Sequence, residues 1–153
     1  MPTINNVFSS DGLLAGAIKG FVPREAQTEM AKAVKRAIDT TGSLIVEAGT
    51  GTGKTFAYLA PALLSDGKAI VSTGTKNLQE QLFHRDLPLV KKALGSKRKT
   101  ALLKGRSNYL CLHRVAQHSG NSTLVEKEVL GQLSEVKRWS STTKTGDMGE
   151  LKT

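Results

Sequence analysis

The segment AGTGTGKT, Ala48 to Thr55, follows the apolar run SLIVEA (Ser43 to Ala48) and precedes FAYLAPALL (Phe56 to Leu64). Few backbones accommodate alternate glycines between a strand-like and a helix-like segment. Gly49, Gly51 and Gly53 let the chain curl so that several N–H groups face inward, and the following helix adds the positive end of its dipole. Lys54 is then placed to reach the β and γ phosphates of a nucleotide as a point charge, and Thr55 to offer a hydroxyl to Mg²⁺. Thr50 and Thr52 fill the remaining loop positions, and Ala48 stands where the simplest form of the pattern has Gly. A flexible Gly/Thr loop that binds nothing is the plain alternative, but it leaves the flanking strand and helix unexplained. ATP with Mg²⁺ is the expected ligand.

The rest of the chain predicts an α/β fold with a parallel sheet. DGLLAGAIKG offers Asp11 as the cap of a short helix ended by Gly20, and PREAQTEMAKAVKRAIDT puts Ala26, Met30, Val34, Ala37 and Ile38 at helical spacing, ending near Thr41–Gly42. Lys54 to Ser65 reads as a helix that Pro61 should kink or restart as a new turn. TKNLQEQLFHRDLPLVKKAL reads as helical with an interruption before Pro88. SLIVEA and AIVST (Ala69 to Thr73) read as buried strands, and TALLK (Thr100 to Lys104) as a third short strand candidate. This alternation is that of a parallel sheet with right-handed crossovers. Beyond Gly105 the rhythm stops, leaving one amphipathic helix over Leu124 to Trp139 and a polar tail. The expected division is residues 1–105 and 106–153.

The formal net charge is +9 over 153 residues, and the excess is local. No acidic residue stands between Asp86 and Glu126, an interval holding Lys91, Lys92, Lys97, Arg98, Lys99, Lys104, Arg106 and Arg114. Such a stretch attracts phosphate polyanions, although a solvated basic loop has the same composition. The longest apolar run falls far short of the roughly 20 residues that cross a bilayer, and MPTINNVF has no basic segment leading an apolar one. A cytoplasmic chain with no membrane association is expected. Cys111, the one cysteine, forms no internal disulfide.

Four segments resemble the iron–sulfur DNA helicases of superfamily 2, in the DinG/YoaA branch related to XPD: FVPREAQ (Phe21 to Gln27), VEAGTGTGKTFAYLAPAL (Val46 to Leu63), STGTKNLQEQL (Ser72 to Leu82) and LLKGRSNYLCL (Leu102 to Leu112). Gly146, Asp147 and Glu150 resemble a weaker continuation. The resemblance implies a P-loop NTPase of RecA-like fold, here the first part of a helicase lobe followed by the start of an iron–sulfur insertion. It implies an ATP-dependent DNA helicase acting in DNA repair on single-stranded DNA and DNA junctions. No stable protein partner is evident.

By that resemblance Arg24 and Gln27 read the adenine, chemistry that an amide and a guanidinium can perform, although the same residues also suit a solvated helix start. Thr73, Thr75, Lys76 and Gln79 correspond to donors that touch the single-strand backbone, or else form a polar helix start. Arg106 would touch a nucleic-acid phosphate beside Tyr109, or merely pack. Cys111 corresponds to the first of four thiolates holding a [4Fe–4S] cluster. A chain with one cysteine does not complete that set, and Cys111 is expected as a lone reduced thiol.

No Asp-Glu or Glu-x-His pair follows an apolar strand, so the carboxylates that hold Mg²⁺ and orient water in such an ATPase are not visible here. The second motor lobe is likewise not visible. Three readings therefore compete: the N-terminal portion of a helicase, a truncated nucleotide- or nucleic-acid-binding module without turnover, and a small phosphate-loop kinase. The last leaves STGTKNLQEQL unexplained.

Overall fold

The computed structural model describes residues 2–118 and 127–151 and divides into two compact units, residues 1–100 and 101–153. The first unit opens with α1 (Ile4–Phe8), which sequence periodicity did not anticipate because five residues carry too little pattern. Thr3 caps it, its hydroxyl accepting from the Asn6 amide at 3.2 Å. α2 (Leu13–Ala17) follows with Gly12, not Asp11, at its cap position. A Cβ at residue 12 would run into the Asn6 carbonyl and the Ser9 side chain, so the turn between the two helices requires glycine.

α3 (Glu25–Asp39) ends as its spacing predicts, with Thr41 at φ 52° and the Gly42 amide bonded back to the Ala37 carbonyl at 2.8 Å. α4 (Lys54–Leu64) runs through Pro61, which is buried. α5 (Lys76–Gln81) passes through a π-helical turn, Leu82–Asp86, into α6 (Leu87–Leu94). The expected interruption before Pro88 is thus a widened turn within a continuous helical path. Pro88 has no amide proton, and its ring would crowd the carbonyl four residues back, so a wider turn relieves both problems.

Phe8, Val7, Leu14, Ala31, Ala57, Leu59, Ala60, Leu87 and Val90 form the core of this unit, with α3 and α4 making its most extensive helix contact. Burying each of the larger of these side chains contributes about 1.5–3 kcal/mol. Ala31, Ala57 and Ala60 are fully buried, and small residues there let helices approach closely.

The expected sheet is not seen among the described residues. Among the described residues, Ser43–Ala48, Ala69–Thr73 and Thr100–Lys104 take no part in a strand ladder. Ile45 is 98%, Ile70 96% and Leu103 81% exposed, the opposite of the burial expected for central parallel strands. A parallel strand is stable only with paired neighbours and covered faces, and Ser43–Ala48 and Ala69–Thr73 do not pair with each other. Their apolar composition is that of buried strands; their pairing is missing.

The second unit carries a 3₁₀ turn (Arg106–Asn108), α7 (Leu112–His118), α8 (Lys127–Ser140) and a 3₁₀ turn (Met148–Glu150). Residues 124–126 of the helix expected from Leu124 lie outside the described residues. Tyr109 and Asp147 form an antiparallel bridge, and the Leu110 amide donates to the Gly146 carbonyl at 2.8 Å. Lys104 Nζ meets Asp147 Oδ2 at 2.5 Å with both side chains largely buried, while Asp147 Oδ1 accepts from the Gly149 amide. No described helix is long and apolar enough to cross a membrane.

Candidate nucleotide site

The glycine loop behaves as its residue types dictate. Gly51 (φ 74°) and Gly53 (φ 80°) occupy the left-handed region, and Gly53 serves as the N-cap of α4. The loop therefore feeds directly into a helix N-terminus whose first residues are Lys54 and Thr55. Thr52 Oγ1 donates to the Gly49 carbonyl at 3.0 Å, bracing the turn. Ala48 and Gly49 present their carbonyls to Lys54, whose Nζ donates to them at 2.8 and 2.5 Å. Thr50 is exposed. Lys54 thus lies across the loop, with its charge over the glycine backbone.

Two side chains from α3 and its cap hold the other side of the loop. Arg24, N-cap of α3, donates from Nη1 to the Gly51 carbonyl. Gln27, 4% exposed, donates from Nε2 to the Gly53 carbonyl at 2.9 Å. The amide of Gln27 fills the space that a Cβ at residue 53 would need. Arg24 also lines a cleft with Asn5, Pro23, Glu25 and Thr28, of which Gln27 is no part. The structure therefore brings Arg24, Gln27 and the loop together across 26 and 27 residues of sequence, through loop carbonyls.

Tyr58 stands one turn beyond Thr55 on α4. Burial pushes its phenol above the ordinary value, a hydrogen bond with Thr55 draws it back in part, and the negative charge of Asp86 adds to the rise. Asp86, 5% exposed, accepts from Arg85 Nε at 2.9 Å and Gln81 Nε2 at 3.3 Å. Neither Tyr58 nor Asp86 stood out in the sequence. The spacing of Thr55 to Tyr58 was the available signal, since residues three apart share a helix face.

The segment with nucleic-acid donors forms the start of α5. Thr75 is its N-cap, accepting from the Leu78 amide at 3.2 Å, and Thr73 Oγ1 donates to the Thr75 carbonyl at 3.3 Å. Lys76 is exposed at the first helical position and Gln79 is half-buried one turn on. Arg106 lies exposed in the second unit.

The basic stretch divides on inspection. Arg98 is a structural cap: its guanidinium donates to the carbonyls of Ala62, Ser65 and Gly67 at the C-terminal end of α4, while Lys91 Nζ donates to its own carbonyl at 2.6 Å. Lys104 is spent on Asp147. Lys92, Lys97, Lys99, Arg106 and Arg114 remain exposed.

The donor set fits a nucleotide phosphate group: a helix N-terminus, left-handed glycines, one ammonium, and the Thr55 hydroxyl for a divalent cation. The residues do not fit a four-thiolate cluster. Cys111 is exposed and free, the chain has no second thiol, and among the described residues no three His, Cys, Asp or Glu side chains converge.

Comparison with known proteins extends these observations. The DEAD/DEAH box helicase family model matches residues 24–144, and that family implies a P-loop NTPase fold. The chain is 59% identical to the ATP-dependent DNA helicase YoaA of Haemophilus influenzae over 147 residues, 96% of this chain and 23% of that protein. It is 53% identical to YoaA of Escherichia coli over 141 residues, 92% of this chain and 22% of that protein. To the ATP-dependent helicase DinG of Mycobacterium tuberculosis it is 41% identical over 160 residues, 91% of this chain and 24% of that protein. The chain spans about a quarter of the length of these curated relatives. No solved structure matches it. With the family model covering most of its length and relatives of this similarity, the chain belongs to the DEAD/DEAH box helicases, in their DinG/YoaA branch.

Proposed function

We propose that this chain is the nucleotide-binding portion of an ATP-dependent DNA helicase, holding MgATP on the loop from Ala48 to Thr55. The observation that carries the reading is the loop itself: two left-handed glycines deliver Lys54 and Thr55 to the N-terminus of α4. The backbone amides and helix dipole receive the phosphates, Lys54 supplies the mobile positive charge, and Thr55 offers the hydroxyl oxygen for Mg²⁺. Held by the Thr55 hydroxyl, Mg²⁺ would supply positive charge against the phosphates.

Adenine preference follows from Gln27. With Nε2 committed to the Gly53 carbonyl, its Oε1 is the atom left to accept from the adenine amino group. Guanine presents a carbonyl there and meets acceptor with acceptor. Single-stranded DNA is the second ligand, its phosphates meeting Thr73, Thr75, Lys76 and Gln79 at the start of α5, and Arg106 is read by itself as a further phosphate contact. The full-length relatives' names, which specify ATP and DNA, support both assignments. In this chain alone we expect binding without turnover, since the carboxylate pair and second lobe that hydrolysis and unwinding need are not in its sequence.

The test is a titration of a fluorescent ATP analogue into the unmodified chain and Lys54→Ala. Loss of binding in the variant is expected, and equal affinities would reject the assignment. Competition with ATP and GTP, repeated in Gln27→Ala, reads the base preference: the ATP advantage should shrink, and an unchanged ratio would remove Gln27 from base recognition.

A further inference from the structure

Arg98 ties together segments of the first unit that lie far apart in sequence. Its guanidinium donates to the Ala62, Ser65 and Gly67 carbonyls at the end of α4, and its own carbonyl accepts from Lys91 Nζ on α6 at 2.6 Å. Four exposed lysines adjoin this junction along the chain: Lys68 follows Gly67, Lys92 follows Lys91, and Lys97 and Lys99 flank Arg98. Gly67 and Arg98 are 31 residues apart, so only the Arg98 bonds bring Lys68 to the other three. Asp66, exposed beside Lys68, offsets one of the four charges.

Lysines near the end of a helix commonly serve its negative dipole end, but both helices that end here are capped without them. The last turn of α4 is closed by Arg98 and by the Ser65 amide on the Pro61 carbonyl at 3.0 Å. α6 ends at Gly95 in the left-handed region, φ 61°, with the Gly95 amide on the Lys92 carbonyl at 3.2 Å and the Ser96 amide on the Lys91 carbonyl at 2.9 Å. The four ammonium groups are therefore surplus to capping, and their mutual repulsion works against the fold. A phosphate backbone relieves that repulsion.

We infer that Lys68, Lys92, Lys97 and Lys99 form a second contact surface for single-stranded DNA, one that holds the phosphate backbone without reading its sequence. The inference takes DNA as the ligand from the function proposed above, but does not depend on the α5 contact. α4 separates this surface from the nucleotide loop: its 11 residues rise about 16 Å, with Lys54 at one end and the Arg98 cap at the other. DNA on the lysines and a nucleotide on the loop are thus compatible. Lysine suits the task, since an ammonium on a flexible stem follows a backbone as a point charge. Arg98 assembles the surface and is itself spent on carbonyls.

The experiment follows the fluorescence anisotropy of a labelled oligothymidylate of about 20 nucleotides, longer than a typical single-strand site, across a salt series. The proteins are the unmodified chain, the triple variant Lys68→Gln, Lys97→Gln and Lys99→Gln, the single Lys68→Gln, and Lys76→Gln at α5. A control triple, Lys19→Gln, Lys137→Gln and Lys144→Gln, removes the same charge at exposed positions elsewhere. The log–log salt slope should fall by about 2 in the first triple and by about 0.7 in Lys68→Gln, and the control should leave it unchanged. An unchanged slope in the first triple, an equal or larger fall in the control, or no effect of Lys68→Gln would overturn the surface. If Lys76→Gln has no effect while the first triple flattens the slope, the α5 contact fails and this surface stands. A chain that binds no oligonucleotide at any salt rejects the DNA reading and this surface with it. Melting curves check folding, which substitutions at exposed lysines should leave nearly unchanged. Should the triple not fold, Lys68→Gln alone decides.

Discussion

At the scale of single residues, Gly53 is subject to two independent constraints. Its φ of 80° lies where a side chain costs about 1–2 kcal/mol, and the Gln27 amide occupies the place of its missing Cβ. Gly53→Ala should therefore lower stability by more than the backbone cost alone, and should abolish nucleotide binding. Adding Gln27→Ala removes the collision but not the dihedral strain. The double variant is expected to regain part of the stability, and urea denaturation that finds the two losses additive would show that the side chains do not meet. Tyr58 supplies a pH signature. Because its phenol is held above the ordinary value of 10.0, the folded chain keeps a proton that the unfolded chain releases. That contribution is complete below the ordinary value and is lost as pH rises through the raised one. Tyr58→Phe should flatten the alkaline fall of stability, a difference readable by thermal melts across that range. The left-handed glycines and the helix start at Lys54 were legible in the sequence because they follow from residue type and immediate context. The attachment of Arg24 and Gln27 to loop carbonyls was not, because nothing local to either residue specifies a partner 26 or 27 positions away.

At the scale of elements, the ends of helices decide more than their middles. Thr75 caps α5 through the Leu78 amide, so Thr75→Ala should cost about 1 kcal/mol in addition to any effect on DNA. Arg98 caps the far end of α4 through three carbonyls. Its replacement by Ala should cost about 1.5–3 kcal/mol, as for hydrogen bonds to a charged donor. Charge reversal at exposed Lys97 and Lys99 should leave stability within about 0.5 kcal/mol. If those two lysines meet single-stranded DNA, their reversal should flatten the salt dependence of binding, by about 0.7 in log–log slope for each phosphate no longer neutralised. Salt titrations in both variants, paired with urea denaturation, separate the structural cation from the exposed ones, and equal stability losses would refute the division. The spacing of apolar residues gave the extents of α3 and α4 closely, since helix formation depends on interactions three and four residues apart. The same approach missed α1 and the π turn. α1 is held by its burial against the core, and the π turn by the demands of Pro88.

At the scale of the whole molecule, each unit has its own organising interaction. In residues 101–153 it is the Lys104–Asp147 ion pair, about nine-tenths buried on both sides. Removing one member strands the other, so Asp147→Asn should destabilise this unit by about 3–5 kcal/mol, whereas replacing both with apolar residues should cost less. Hydrogen exchange at the Leu110 amide, which bonds to the Gly146 carbonyl, reports the loss. Unaltered protection there would deny the pair its role. The sequence by itself determined the conformation of the glycine loop, the main helices and the family, because each is written in patterns a few residues long whose chemistry does not depend on distant neighbours. Only the tertiary structure decided which cations are free and which are caps, and that Gln27 and Arg24 grip the loop. It also shows SLIVEA, AIVST and TALLK without a ladder among the described residues. Strand composition is local, but a parallel sheet exists only where separate segments pair in register, and pairing is a property of the folded chain rather than of any one segment.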